Sequence, residues 1–116
     1  MTFIVFYKFI NSINCKIFTL LGSVSYVSQT IATSETKTLN DNISNYKKVL
    51  IGLFDGIKII NPIILTVSEF ENIGMDINIP INQVQGVVTY ISYTSCKFAS
   101  YNPTSSRIDI VLYGIK

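Results

Sequence analysis

At 116 residues, with 48% hydrophobic and 14% charged residues, the chain can build the core of one domain, and its composition excludes disorder. Nine basic against seven acidic residues leave a net charge of +2, and the longest basic run is Lys47-Lys48, so there is no electrostatic case for a nucleic-acid partner. No histidine and only two cysteines, Cys15 and Cys96, exclude a four-ligand zinc site and any triad built on imidazole.

Residues 1–32 can be read as a leader. Lys8 and Lys16 would be its charged part, residues 17–27 its apolar part, and Thr30, Ile31 and Ala32 its cleavage site. The fit is poor, because Thr19, Gly22, Ser23 and Ser25 interrupt the apolar part. A spanning helix fits worse: Lys8, Asn11, Asn14 and Lys16 break any run of about 18 apolar residues, so no membrane span is expected. A strand bent at Gly22-Ser23 suits the β-branched and aromatic content better. Residues 1–15 then form an apolar N-terminal segment that reads as the remnant of a longer protein, and residues 16–116 form one domain.

Residues 32–46 are polar and predict a loop with a short edge strand. Asn40, Asp41 and Asn42 are placed to cap one helical turn ending at Tyr46. Residues 47–54 are almost continuously apolar, as in a central strand covered on both faces. Asp55-Gly56 then separates two apolar runs, the strongest hairpin signal in the chain. Asn61-Pro62 breaks the second run or puts it at a sheet edge. Residues 68–72 suggest a helical turn, and residues 77–82 alternate as a half-exposed strand.

Residues 86–101 carry the longest β pattern, read as one long strand. Val88, Tyr90, Cys96 and Phe98 share one parity, and Ile91, Tyr93 and Ala99 the other. A turn at residues 102–106 precedes a last strand, in which Ile108, Ile110 and Leu112 oppose Arg107, Asp109, Val111 and Tyr113. Together these elements predict an all-β fold, an antiparallel β-sandwich of jelly-roll-like form with about seven or eight short strands.

The chemistry is sparse. There is no G-x-G-x-x-G, P-loop or C-x-x-C motif, and neither a cofactor nor a metal is expected. Cys96 has no base to activate it. The cysteines read as two small buried hydrophobes rather than a disulfide. Glu69 and Glu71 would share a face if that stretch were extended, which leaves a carboxylate-based hydrolase as a third reading. Seven tyrosines offer flat apolar faces with a hydroxyl rim, suited to sugar rings. Tyr101 and Asn102, in a turn, are the least core-like pair, and with Tyr93 they are the candidate ligand contacts. The mean hydropathy of +0.41 is high for a lone soluble domain and calls for apolar surface hidden against partner chains or in a membrane.

The order of these pieces resembles a known family. The step Ile43-Ser44-Asn45-Tyr46 leads into a strand, and the chain ends on Tyr113-Gly114-Ile115-Lys116. In this respect residues 16–116 resemble the C-terminal domain of bacteriophage minor structural and tail-fibre proteins, common in prophages of low-GC Gram-positive bacteria. The resemblance implies a non-enzymatic, trimeric virion module at the distal end of a tail fibre or baseplate. Its partners would be other tail proteins and a host cell-surface polysaccharide. The short region before the domain departs from the family, whose members carry a long shaft, and suggests a truncated prophage remnant. The alternative is a small secreted adhesin-like β-sandwich with a signal peptide.

Overall fold

A computed structural model describes residues 17–72, 77–81 and 83–116, with the side chains of residues 77–81 excepted. Cys15 and the apolar segment 1–15 lie outside the described residues. In chain order the elements are β1 (Phe18–Tyr26), β2 (Thr33–Thr38), a 3-10 turn (Ile43–Asn45), β3 (Lys48–Phe54), β4 (Ile59–Thr66), α1 (Val67–Asn72), β5 (Ile77–Ile81), β6 (Val84–Ser92), β7 (Ser95–Tyr101) and β8 (Ile108–Ile115). Two four-stranded sheets form. Sheet I has the order β1-β8-β3-β4 and sheet II the order β2-β7-β6-β5. Every neighbouring pair is antiparallel. The all-β sandwich anticipated from the sequence is therefore the fold. Its jelly-roll-like character lies in β1 pairing β8 in one sheet while β2 pairs β7 in the other. Among the described residues no helix is long and apolar enough to cross a membrane.

The core lies between the sheets. Sheet I contributes Leu21, Val24, Val49, Ile51, Leu53, Ile110 and Leu112; sheet II contributes Val84, Val88, Cys96 and Phe98. Burying each large apolar side chain is worth about 1.5–3 kcal/mol. The parity expected for β8 holds: Ile110 and Leu112 face the core, while Asp109 and Tyr113 lie on the other side of the sheet. Sheet I is unusual in also burying its outer face, where Phe18, Leu50 and Ile59 form a second cluster with Phe54, Tyr113 and Ile115.

Local chemistry sets the joints. The bend foreseen at Gly22-Ser23 is a register shift between Leu20 and Gly22. Asn42 caps the 3-10 turn by accepting from the Ser44 N–H. The β3–β4 hairpin forms at Asp55-Gly56, with Gly56 at φ 97°. Asn61 and Pro62 make a bulge opposite Gly52 on β4, at the edge of sheet I, and Asn61 takes φ 49°. Cys96 is a free, fully buried thiol whose pKa burial pushes up to about 12.

Two expectations need correction. The single long strand over residues 86–101 is a hairpin, turning at Tyr93-Thr94. No glycine, proline, asparagine or aspartate marks this turn. Hydroxyls close it instead: Ser92 Oγ accepts from the Thr94 N–H at 3.3 Å and lies 3.3 Å from Ser95 Oγ. The predicted parity survives because a register shift between Tyr90 and Ser92 lets Val88 and Phe98 face the same side. The second correction concerns Glu69 and Glu71. They lie on α1, where residues two apart point in different directions. Glu69 forms a capping box with Thr66: its carboxylate accepts from the Thr66 N–H at 2.8 Å, and Thr66 Oγ1 accepts from the Glu69 N–H at 3.0 Å. Glu71 accepts from the Tyr93 hydroxyl at 2.9 Å.

The strand that ends the described chain is central. β8 is flanked by β1 and β3, the Lys47 N–H donates to Ile115 O, and the Lys116 N–H donates to Ile17 O. Over its last turn lies Tyr46. A Cβ added to Gly114 would sit 2.6–2.8 Å from the Tyr46 ring, so only glycine lets the ring lie flat on the strand. Gly114→Ala is expected to lower the urea midpoint, at unchanged slope, by an amount equivalent to about 1–3 kcal/mol.

The Tyr46 hydroxyl donates to Asp41 Oδ2 at 2.7 Å, and this bond, with one from the Asn42 N–H, holds the Asp41 carboxyl below its usual range. A carboxyl depressed by folding stabilises at neutral pH, and the benefit is lost as pH falls through its folded pKa. The stability gap between the wild type and Tyr46→Phe is therefore expected to shrink once the pH drops below about 4, as measured by urea unfolding at a series of pH values.

Candidate functional site

The sandwich has two distinct ends. At the base lie Ile17, the 3-10 turn, α1, the Tyr93-Thr94 turn and Lys116. At the tip lie the connections over residues 27–32, 55–58 and 102–107. Two of these are zipped together: the Ser28 N–H donates to Thr104 O and the Gln29 N–H to Asn102 O, each at 2.8 Å.

Asn102 is the hub of the tip and is fully buried. Its Nδ2 donates to the carbonyls of Tyr26 and Ser106, both at 2.8 Å. Its Oδ1 accepts from the Thr104 N–H at 3.0 Å and the Thr104 hydroxyl at 2.6 Å. The Asn102 backbone N–H donates to Gln29 Oε1 at 2.6 Å. An asparagine side chain has two donor hydrogens and one acceptor oxygen, and all are engaged. Asn102, expected to touch ligand, is instead the anchor of the β7–β8 loop.

That loop delivers Arg107 to the start of β8. The Arg107 guanidinium grips Asp109 through two bonds, Nε to Oδ1 at 2.9 Å and Nη2 to Oδ2 at 3.3 Å, and Nη2 also donates to Ser25 Oγ at 2.8 Å. Strand register sets the rest. Asp109 lies opposite Ser25 on β1 and opposite Phe54 on β3, so the three form a row on the outer face of sheet I. The Asp55-Gly56 turn closes the row. Asp55 Oδ1 accepts from the N–H groups of Ile57 and Lys58, each at 2.9 Å, while Oδ2 makes no hydrogen bond among the described residues. The result is an open cleft of about 270 Å³ lined by Phe54, Asp55, Gly56, Arg107 and Asp109. That is just below the range of about 300–1,000 Å³ typical of small-molecule pockets, a size suited to one ring rather than a long ligand.

The three residues singled out in the sequence do not converge. Tyr101 is half-buried at the end of β7, at the tip. Tyr93 is exposed at the base, a strand length of about 20 Å away. Its hydroxyl bond to Glu71 raises its pKa, and its ring meets Tyr90 edge-on at 6.1 Å, next to a like contact between Tyr90 and Phe70 at 5.6 Å. The sequence marked Asp55-Gly56 as a turn but no cleft residue as a ligand contact, since Phe54 and Asp109 meet only through the β3–β8 register. The i, i+2 spacing of Arg107 and Asp109 on a strand was the one available hint. Among the described residues no group of three or more acidic or cysteine side chains could hold a metal ion. Comparison with known protein families and with curated proteins finds no match for this chain.

Asn102→Ala is expected to lower stability by about 2–4 kcal/mol, because it removes a fully buried side chain that donates to the Tyr26 and Ser106 carbonyls and accepts from Thr104. The urea midpoint measures this directly.

Proposed function

We propose that this chain is a non-enzymatic module of a phage tail or baseplate. Its distal end binds a host cell-wall glycan in the cleft between the β3–β4 turn and the start of β8. The observation that carries this reading is the polarity of the domain. Residue 17 and the C-terminal Lys116 lie together at the base, joined by a hydrogen bond of 2.9 Å, and the cleft lies at the opposite end. A module held from its base would present the cleft outward. The cleft's chemistry suits a sugar: an aromatic side chain for the C–H face of a ring, and a carboxylate and a guanidinium for its hydroxyls.

The secreted alternative places its cut after Ala32, which would strip β1 from β8 along eight paired positions. We further propose that the module is a trimer.

Incubated with cell walls isolated from a low-GC Gram-positive host, the chain is expected to co-sediment. Phe54→Ala and Arg107→Ala are each expected to weaken binding about tenfold or more. Failure to bind such walls, or binding indifferent to both substitutions, overturns the assignment. Light scattering of the purified chain tests the trimer.

A further inference from the structure

We propose that the outer face of sheet I is the docking site of the chain's own apolar segment, residues 1–16. Such docking is independent of any glycan in the cleft.

The face is buried along its middle and open at its sides. One row crosses all four strands: Leu20 on β1 lies opposite Tyr113 on β8, Tyr113 opposite Leu50 on β3, and Leu50 opposite Ile64 on β4. Leu20 and Ile64, at the ends of the row, are 40% and 49% exposed, whereas Leu50 is 0% exposed. In the adjoining row Val111 is buried too, between Ser23 and Gly52. The outer face of a two-sheet sandwich is ordinarily solvated, so a fully buried leucine there requires cover.

Strand neighbours supply part of it. Ile59 leans over Gly52, and Tyr113 packs against the cluster that contains Leu50. The other described elements turn elsewhere: Phe70 of α1 and Ile43 of the 3-10 turn enter the core between the sheets. Phe18 and Tyr113, both on this face, each make a further contact outside the described residues. Three stretches lie outside them. Residues 73–76 and residue 82 flank β5, the edge strand of sheet II. Residues 1–16 lead straight into Ile17 and Phe18, at the base of this face, and Phe18 already belongs to its cluster. They carry Phe3, Ile4, Val5, Phe6, Phe9 and Ile10, the apolar surface that such a face takes. The width of the buried strip also fits. Burial over two central strands, with the edge residues left exposed, is what one segment of chain provides; a second sheet from another copy would cover the row from end to end.

Two measurements on the full chain test this. A nitroxide attached to Lys8→Cys, in a chain that also carries Cys15→Ser, reports where the segment lies. Cys96 does not compete for the label, since it is fully buried and its thiol is pushed up to about 12. The amide resonances of Leu50, Val111 and Tyr113 are expected to broaden more than those of Val87, Lys97 and Ala99, which lie in the other sheet, about 10 Å further away. Equal broadening of the two sheets, broadening centred on sheet II, or no broadening overturns the proposal. The second measurement is the urea midpoint. Phe6→Asp combined with Phe9→Asp is expected to lower it, because charges replace side chains that the face buries, while Lys8→Ser leaves it unchanged. A midpoint indifferent to both aspartates also overturns the docking.

Discussion

The fold turns on the contact between Tyr46 and Gly114. Tyr46 ends the polar connection from β2 to β3, and Gly114 lies near the end of the central strand of sheet I. The ring can lie against the strand only because position 114 has no side chain. Asp41 pins the hydroxyl end of the ring, and the Lys116 ammonium sits 5.5 Å above its centre. On either side the Lys47 N–H closes onto Ile115 and the Lys116 N–H onto Ile17. This one corner joins β1, β3 and β8, and so fixes the register of three strands at once. The cleft at the tip depends on that register, because Ser25, Asp109 and Phe54 meet only when those strands are aligned.

Two short stretches singled out in the sequence, residues 43–46 and 113–116, are the two halves of this corner. They are far apart in sequence and touch in space. Their chemistry is that of a packing lock, and neither lines the cleft. Function has to be argued from the tip, where the loops carry a different set of side chains.

This division also explains what could be read before the fold was known. Local devices were legible because their chemistry is local: the asparagine cap at Asn42, the hairpin at Asp55-Gly56, the bend at Gly22, the edge position of Asn61-Pro62. The Tyr93-Thr94 turn was not, since serine and threonine hydroxyls close it in a stretch that otherwise reads as strand. Asn102 looked available because it is a polar residue in a turn, but the end of β1 and its own loop consume its side chain. Phe54 reads as one more apolar residue in an apolar strand. Its place beside Asp109 follows from the pairing of β3 with β8, which no pattern within either strand encodes.

The high hydropathy has a physical home in the asymmetry of the two sheets. Sheet II shows exposed polar side chains along β2, whereas sheet I buries apolar groups on both faces. The sheet edges are poorly suited to strand-to-strand association. Asn61 and Pro62 bulge β4, Pro80 removes a donor from β5, Glu35 and Lys37 charge β2, and β1 is bulged beyond Leu20. On the outer face of sheet I, Phe18, Leu50 and Ile59 are already buried within the single chain. Along that face the cluster runs from Phe18 and Ile115 at the base, through Leu50 and Tyr113, to Phe54 and Ile59 beside the cleft. Burial on that face within one chain therefore accounts for part of the chain's apolar content without a partner copy.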